Sequence, residues 1–332
     1  MDKFSNIFYN LYKSNGIFKQ AINLVRRIIG KFTLILFRGI FSLAVAARIV
    51  KVLYAEAFKY FDTLYLGNDF TSKIEQILDK KLTCIDVGAR GKFPEVVLKY
   101  IRFFETVQCE PESKEAERLR NLGKKVIEDV IYSKKTEIDF YETRDLHASS
   151  IYKPQGPFLD LYNSDPAYIA RYEAVQIHKL MANTLKNVLE DLQVQQIDFL
   201  KIDVQGAEKD VLEGLGDYRP LLLIVELQFL PLYHDVPYGS EILNYLNKEL
   251  GYIPFILSHN FNGAMYPNVK DGFFMPNWMD PRGRKLILER EKEYIALMLM
   301  FGQTRILKHV ANKIDMKNKS FILKINDVHD CM

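Results

Sequence analysis

The sequence has little cysteine, and the cysteines that it has are not arranged for a structural role. Its 332 residues include three, Cys84, Cys109 and Cys331, an odd number whose spacing fits neither a zinc site nor a disulfide framework. Internal repeats and low-complexity tracts are also missing. Cys84 and Cys109 lie in two apolar runs, so we expect them to be reduced core thiols of a cytosolic protein.

A long apolar run without a central charge is a second feature that the sequence lacks. A membrane-spanning helix needs roughly 20 such residues. Residues 28–50, IIGKFTLILFRGIFSLAVAARIV, come close, but Arg38 lies in the middle, at an insertion cost of about 2.5–3.5 kcal/mol. A signal peptide would begin nearer Met1 and end at a small-residue cleavage site.

The net charge is only +3, but it is unevenly distributed. Residues 1–60 hold ten Lys or Arg and two Asp or Glu, which leaves the remainder acidic. On a helical projection the polar residues of this region fall on one side, namely Asn23, Arg27, Lys31, Arg38, Ser42 and Arg48. The pattern favours a helix over 23–51 that lies on an anionic membrane surface. A helix packed on the protein body and a true span remain the alternatives.

From residue 82 onward, strand and helix patterns alternate. Predicted strands cover 82–88, 105–111, 124–133, 136–143 as an added edge strand, 198–203, 220–229, 252–257 and 271–276. Predicted helices cover 93–104, 113–123, 178–192, 207–215, 240–251 and two segments within 282–314. Proline-rich residues 144–175 are expected to form an ordered loop or lid. This order predicts an α/β fold, Rossmann-like, with a mostly parallel sheet and helices on both faces.

Three regions follow from these patterns. A basic amphipathic extension is expected over 1–60, a core over 61–260, and a C-terminal extension with the last strand and helices over 261–332. The apolar stretch at 295–301 is expected either to close over the sheet or to form a homo-oligomer contact.

Four acidic residues lie near the predicted strand exits, where open α/β sheets bind their ligands. They are Asp86, Glu110, Asp203 and Glu226. Each alone is more often a helix cap or a solvated turn residue. Four at one edge of a sheet favour a binding site.

The loop after the first strand, DVGARGKF, lacks a glycine that dinucleotide sites need. Gly88 and Gly91 are three residues apart and the third Gly is absent. Asp86 at the mouth of the loop would repel a pyrophosphate, whereas it suits a ligand that carries an ammonium and a sulfonium. S-adenosylmethionine is such a ligand, and Glu110 could accept hydrogen bonds from its ribose hydroxyls.

Four segments, taken together, resemble the FkbM-type methyltransferase family. They are CIDVGARG, CEP at 109–111, DFLKIDVQGAEKDVLEG at 198–214 and IVELQFLPLY at 224–233. The resemblance covers roughly residues 80–260 and implies a class I methyltransferase fold, with a seven-stranded, largely parallel sheet and one antiparallel strand. It also implies S-adenosylmethionine as cofactor and O-methylation of sugars or other hydroxylated acceptors.

The resemblance also suggests where the cofactor lies. Asp86, Gly88 and Gly91 would line its methionine part, Glu110 would hold the ribose, and Asp129 is the candidate for the adenine edge. This chain departs from the family in its loop, where Arg90 replaces an Asn and Lys92 replaces a Gly, and at Gln205, where Glu is commoner.

Methyl transfer from a sulfonium needs alignment and a base near the acceptor hydroxyl. Asp203 is the candidate base; capping of the next helix or a cofactor contact are its alternatives. Lys201 could keep Asp203 ionised or bind an anionic substrate, and Glu226 is a second candidate acid. The candidates for the acceptor pocket are Ser149, Ser150, Glu208, Tyr233 and His234, although Glu208 also fits a first-turn residue favoured by the helix dipole.

Other functions remain open on the sequence alone. They are a membrane-docked scaffold or sensor that binds a nucleoside ligand, and an oxidoreductase that uses a nicotinamide cofactor. Methylation of nucleic acid is disfavoured by the acidic body. No ligand spacing of a recognised type supports a metal site. The basic N-terminal region suggests a lipid-linked or surface glycan as the acceptor, handled at the cytoplasmic face of a membrane.

Overall fold

A computed structural model describes residues 69–325, apart from 92, 94, 157–164 and 258–268. The basic extension predicted over 1–60, with its interface helix over 23–51, lies outside the described residues. Within the described ranges, no helix combines the length and the apolar character needed to cross a bilayer.

The described residues form ten strands. They are β1 (Leu82–Val87), β2 (Phe104–Cys109), β3 (Lys125–Ile127), β4 (Val130–Ile131), β5 (Thr136–Thr143), β6 (Ala174–Asn183), β7 (Phe199–Ile202), β8 (Leu222–Gln228), β9 (Tyr252–Leu257) and β10 (Val269–Pro276). Seven of them build the main sheet in the order β3-β2-β1-β7-β8-β10-β9. Strand β10 is antiparallel to both neighbours, whereas the other pairs are parallel. The predicted fold class is confirmed.

The segment between β3 and β7 differs from the prediction. The predicted third strand divides into β3 and β4, and β4 joins β5 and β6 in a separate three-stranded sheet of order β4-β6-β5. The predicted helix over 178–192 is wrong in its first part, because residues up to Ala182 pair with β5 and Asn183 pairs with β4. The β-branched residues Val175 and Ile177 suit this pairing, and the antiparallel ladder outweighs the local helical pattern.

Eleven helices accompany these strands in the described part of the chain. They are α1 (Thr71–Ile77), α2 (Glu95–Lys99), α3 (Ser113–Asn121), α4 (Pro166–Ile169), α5 (Leu185–Asp191), α6 (Glu208–Glu213), α7 (Gly239–Lys248), α8 (Pro281–Glu289), α9 (Glu291–Met300), α10 (Thr304–Lys313) and α11 (Lys319–Leu323). The region predicted as two helices over 282–314 holds three. The predicted helix over 93–104 ends early in a 3₁₀ turn, Ile101–Phe103, because Phe104 begins β2.

Helices cover both faces of the main sheet. Residues Cys84 of β1 and Phe199 of β7 pack in a cluster with α1, α2 and the C-terminal helices α8–α11. The next residue on each strand, Ile85 and Leu200, points to the other face and packs with α5, α6 and α7. Burial on both faces explains why these strands read as nearly continuous apolar runs. Helix α9 is almost wholly buried, so the apolar stretch at 295–301 lies over the sheet.

A buried ion pair ties the C-terminal helices to the amino end of the sheet. Arg290, at the junction of α8 and α9, donates to the carboxylate of Asp198 and, at 2.6 Å, to the carbonyl of Ile197. The second Asp198 oxygen accepts from the Thr83 backbone N–H at 2.6 Å. Asp198 is only 1% exposed. Burial raises the pKa of Asp198, and the Arg290 charge opposes that shift.

Substitution Arg290→Met should destabilise the protein by about 3–5 kcal/mol near neutral pH, because it leaves a buried carboxylate without its cation. Urea unfolding of the full chain measures this. Loss of the cation raises the folded-state pKa of Asp198 further above its unfolded value, so the deficit should shrink as the pH falls toward about 4. Lys292→Met, which breaks an exposed pair with Asp79, is the matched control and should have little effect. Equal losses in the two variants would contradict the assignment.

Candidate active site

The loops that follow β1 and β7 contact each other at the carboxyl edge of the sheet. The backbone N–H of Asp203 donates to the carbonyl of Val87 at 3.0 Å. Gly88 has a φ of +82°, and a Cβ on it would lie 1.9 Å from the Asp203 carbonyl oxygen. A side chain at this position would therefore separate the two loops, which explains the glycine in the DVG motif.

A row of polar side chains crosses the sheet just below these loops. Gln108 of β2, Asp86 of β1 and Lys201 of β7 are partners in neighbouring strands, and so share one face. Farther along the sheet, Glu226 of β8 is paired with Asp271 of β10. Residue Asp271 was not singled out from the sequence, because only the antiparallel register of β10 brings it beside Glu226.

Lys201 bridges two carboxylates. Its Nζ lies 3.3 Å from Asp86 Oδ1 and 3.3 Å from Asp203 Oδ2. Burial alone would lower the pKa of Lys201, but these two carboxylates raise it above its ordinary value. Burial raises the pKa of Asp86, and Lys201 opposes that shift. Lys201 is thus a cation held between two carboxylates.

Asp203 is held at the surface of this network. Its side chain is 35% exposed, whereas those of Lys201 and Asp86 are 11% and 3% exposed. Gln205 Nε2 donates to Asp203 Oδ1 at 3.1 Å and to Glu226 Oε2 at 3.2 Å. Helix α6 begins after Ala207 without a side-chain cap, so capping by Asp203 is not seen. The Asp203 carboxylate thus bonds to Gln205 and Lys201 and remains partly exposed.

Glu226 lies in a different environment from Asp203. Burial raises the pKa of Glu226 well above its ordinary value, and the charges of Asp203, Glu208 and Asp271 add to this. Burial likewise raises the pKa of Asp271. Burial and the acids around it therefore favour the protonated form of Glu226.

Glu208, Ser150 and Tyr233 support the loop after β7. The Glu208 carboxylate accepts from the backbone N–H groups of Val204 and Gly206 at 3.0 and 3.1 Å. Burial raises its pKa to about 7. The Ser150 hydroxyl donates to the carbonyl of Gln205 at 2.7 Å. Buried Tyr233 places its hydroxyl 2.8 Å from the Ala148 carbonyl and 3.1 Å from Gln205 Oε1.

Three further candidates have other surroundings. His234 is exposed, and its backbone N–H donates to the Lys153 carbonyl at 2.8 Å. Asp129 accepts from Asn183 Nδ2 at 2.9 Å, a bond that helps to anchor the three-stranded sheet. The Ser149 hydroxyl accepts from the Thr143 backbone N–H at 3.1 Å.

Glu110 directly follows β2, beside the Gly88–Gly91 loop. Its Oε1 accepts from the Glu112 backbone N–H at 3.0 Å and lies 3.6 Å from Arg90 Nη2. The same guanidinium nitrogen lies 3.0 Å from Glu112 Oε2. Burial raises the pKa of Glu110, and Arg90 opposes that shift. Arg90, the departure in the loop, thus connects the loop to the N-cap of α3.

The site fits a cationic ligand that also carries hydroxyl groups. Lys201 contacts Asp86 and Asp203, while Glu208, Glu226 and Asp271 lie in the same network, so these acids outnumber that cation. Gly91 has a φ of +118°, and a Cβ built on it meets no atom within 4 Å, so the loop backbone is open to a ligand. Over the described ranges, no group of three or more His, Cys, Asp or Glu is arranged to hold a metal ion.

The chain is only weakly similar to three solved structures with which it was compared. A mutant of MtNAS is 11% identical, with 79% of this chain and 78% of that chain covered and a TM-score of 0.30. MtNAS in complex with MTA and tNA is 12% identical, with 65% and 61% covered and a TM-score of 0.29. TrmK of M. capricolum in complex with S-adenosyl-homocysteine is 12% identical, with 76% and 92% covered and a TM-score of 0.29. Superpositions this loose do not bear on the chemistry.

Comparison of the sequence with protein families, in contrast, identifies the family. No curated protein matches the chain. The family described as the methyltransferase FkbM domain matches residues 86–254, which is half of the chain and runs from Asp86 of β1 into β9. The matched region contains the polar row except Asp271, together with Glu110, Asp203 and Gln205. The chain therefore belongs to the FkbM methyltransferase domain family, and its cofactor is S-adenosylmethionine.

Proposed function

We propose that the protein methylates a hydroxyl group of a sugar or another hydroxylated acceptor, with Asp203 as the base. The observation that carries this proposal is the placement of Asp203. It is the most exposed member of the Asp86–Lys201–Asp203 group, and it lies where the loops after β1 and β7 meet. When bound, S-adenosylmethionine supplies an activated methyl group as a sulfonium.

The cofactor would lie along the carboxyl edge of β1 and β2. Glu110 would accept hydrogen bonds from the ribose hydroxyls, since a carboxylate has more acceptor capacity than its bond from Glu112 uses. The backbone from Gly88 to Gly91 would line the methionine part. Asp86 and the other acids would provide the negative potential that a sulfonium and an ammonium require. Asp129 remains a candidate for the adenine edge.

The chemistry of the protein's own residues is then simple. Asp203 would receive the proton that the acceptor hydroxyl loses as its oxygen bonds to the methyl carbon, with S-adenosylhomocysteine as the leaving group. Donors from Lys201 and Gln205 keep the Asp203 carboxylate in one orientation. Glu226, whose environment favours the protonated form, would contact the acceptor together with Asp271. Tyr233 and Ser150 act mainly by holding the loop that carries Asp203.

The acceptor is proposed to be linked to a membrane. The basic region over 23–51 would hold the protein on an anionic membrane surface, where lipid-linked or surface glycan precursors are accessible from the cytoplasmic side. The support for this step is the charge pattern of the sequence.

Substitution Glu110→Ala should weaken S-adenosylmethionine binding at least tenfold, about 1.4 kcal/mol, through loss of the ribose contact. Isothermal titration calorimetry of the full chain with S-adenosylmethionine measures it. Glu105→Ala is the control, because Glu105 is exposed at the opposite end of the same strand. Unchanged affinity in Glu110→Ala would remove the ribose assignment.

Substitution Asp203→Asn should reduce transfer by a factor of about 10²–10⁴, the usual contribution of a general base, with cofactor affinity almost unchanged. Formation of S-adenosylhomocysteine, measured with a panel of hydroxylated saccharides, reports transfer, and calorimetry reports binding. Asp217→Asn, at an exposed position, should behave as wild type. If Asp203→Asn instead loses the cofactor, Asp203 is a cofactor ligand.

Replacement of the basic stripe with Gln should release the protein from vesicles that contain phosphatidylserine, since each basic residue near such a surface contributes about 1 kcal/mol. The stripe variant carries changes at Arg27, Lys31, Arg38 and Arg48. A control with the same charge change carries Gln at Lys3, Lys13, Lys19 and Lys59. Sedimentation with vesicles measures both proteins, and equal retention would exclude a role for the stripe.

A further inference from the structure

Gln205 has an unusual backbone conformation for its residue type. Its φ is +58°, and the other residues except Gly with a positive φ in the described part are Gln193 and Asp235. A left-handed conformation in a residue with a Cβ costs on the order of 1–3 kcal/mol and persists where surrounding contacts enforce it. Such contacts are present at Gln205.

The side chain of Gln205 bonds to three groups of the site. Its Nε2 donates both protons, one to Asp203 Oδ1 at 3.1 Å and one to Glu226 Oε2 at 3.2 Å. Its Oε1 lies 3.1 Å from the Tyr233 hydroxyl, which shares its single proton with the Ala148 carbonyl at 2.8 Å. Its backbone carbonyl accepts from Ser150 at 2.7 Å. Ser150 therefore holds the backbone of Gln205, Tyr233 contacts its side-chain amide, and the amide in turn contacts the two acids.

The hydrogen-bonding groups and the neutral charge of a side-chain amide suit this position. The amide offers two donors to two carboxyl groups and adds no charge to a site that already holds an excess of acids. A carboxylate of the same shape would have no donor for either acid and would repel the charge of Asp203. A hydrocarbon would leave the oxygens of Asp203 and Glu226 on that side without a partner.

The groups that face the amide come from several elements. Strand β7 and the loop that follows it contribute Lys201 and Asp203, and β8 contributes Glu226 and Gln228. Asp271 on β10, Glu208 on α6 and the Tyr233 hydroxyl complete the set. Lys201 is the single cation among them. Any acid introduced here would share that one cation with the acids already present.

We propose that Gln205 is a positioning residue, which holds the carboxylate of the base Asp203 against the carboxyl group of Glu226. The amide fixes the distance between the two acids and orients Asp203 Oδ1 while Lys201 holds Oδ2. The importance of this orientation for catalysis rests on the proposed methyl transfer. The contact itself can be tested without cofactor or acceptor.

The experiment compares unfolding of the full chain at about pH 5 and about pH 8 for wild type, Gln205→Glu, Asp203→Asn and the double variant. A carboxyl group forced among acids has a folded-state pKa above its unfolded value, so it destabilises the protein more as the pH rises. We expect Gln205→Glu to raise the unfolding equilibrium constant at least about tenfold more at pH 8 than at pH 5, which corresponds to a folded-state pKa roughly two units above the unfolded value of about 4.3. In the Asp203→Asn background most of that pH dependence should disappear.

Gln193→Glu is the matched control, because Gln193 is exposed and has the same left-handed conformation, with a φ of +55°. It should show no such pH dependence.

Gln205→Asn adds no charge, but its side chain is one methylene shorter. It tests the reach of the amide if Gln205→Glu does not fold, and we expect it to lose stability equally at both pH values. A pH-independent loss in Gln205→Glu, or one unaffected by Asp203→Asn, overturns the proposal. A Gln205→Asn variant as stable as wild type also overturns the proposal. A failure to bind S-adenosylmethionine in calorimetry overturns the proposed function and leaves these results unaffected.

Discussion

The site depends on one buried ammonium group, that of Lys201, between the carboxylates of Asp86 and Asp203. An isolated charge in this part of the sheet would be unstable, and so would either carboxylate without the ammonium. Because they pair with one another, these three charged side chains can lie near the carboxyl ends of β1 and β7. The close approach of the two loops at Gly88 then leaves the Asp203 carboxylate at the edge of the network, in reach of a ligand.

The sequence predicted the main sheet well because its strands are short apolar runs that end in acids and glycines. The number of strands in this sheet and its single antiparallel strand were implied by the family resemblance, and the structure shows both. The segment before β7 was harder to predict. Residues 178–183 have a helical pattern locally. Their partner strand β5 is distant in the sequence, so only the pairing in the folded protein shows that Ala174–Asn183 is a strand.

The acidic residues of the candidate site could be predicted from the sequence, but their hydrogen bonds could not. Asp86, Lys201, Asp203 and Glu226 could be placed at one edge from strand exits alone. Asp271 required the register of β10, and the contacts of Gln205 required the positions of Glu226 and Tyr233, which follow it by 21 and 28 residues. Short motifs identify which residues end a strand, whereas side-chain networks across several loops depend on coordinates.

The alternation of side chains along β7 has a consequence for how the sheet assembles. Phe199 and Lys201 face one layer of helices, whereas Leu200 and Ile202 face the other. A slip of one residue in the pairing of β7 with β1 would turn the Lys201 ammonium into the hydrocarbon between the sheet and α5–α7, away from Asp86. Apolar strands alone tolerate such errors, because every side chain is acceptable on either face. The lysine therefore gives this central strand a single permitted alignment during folding.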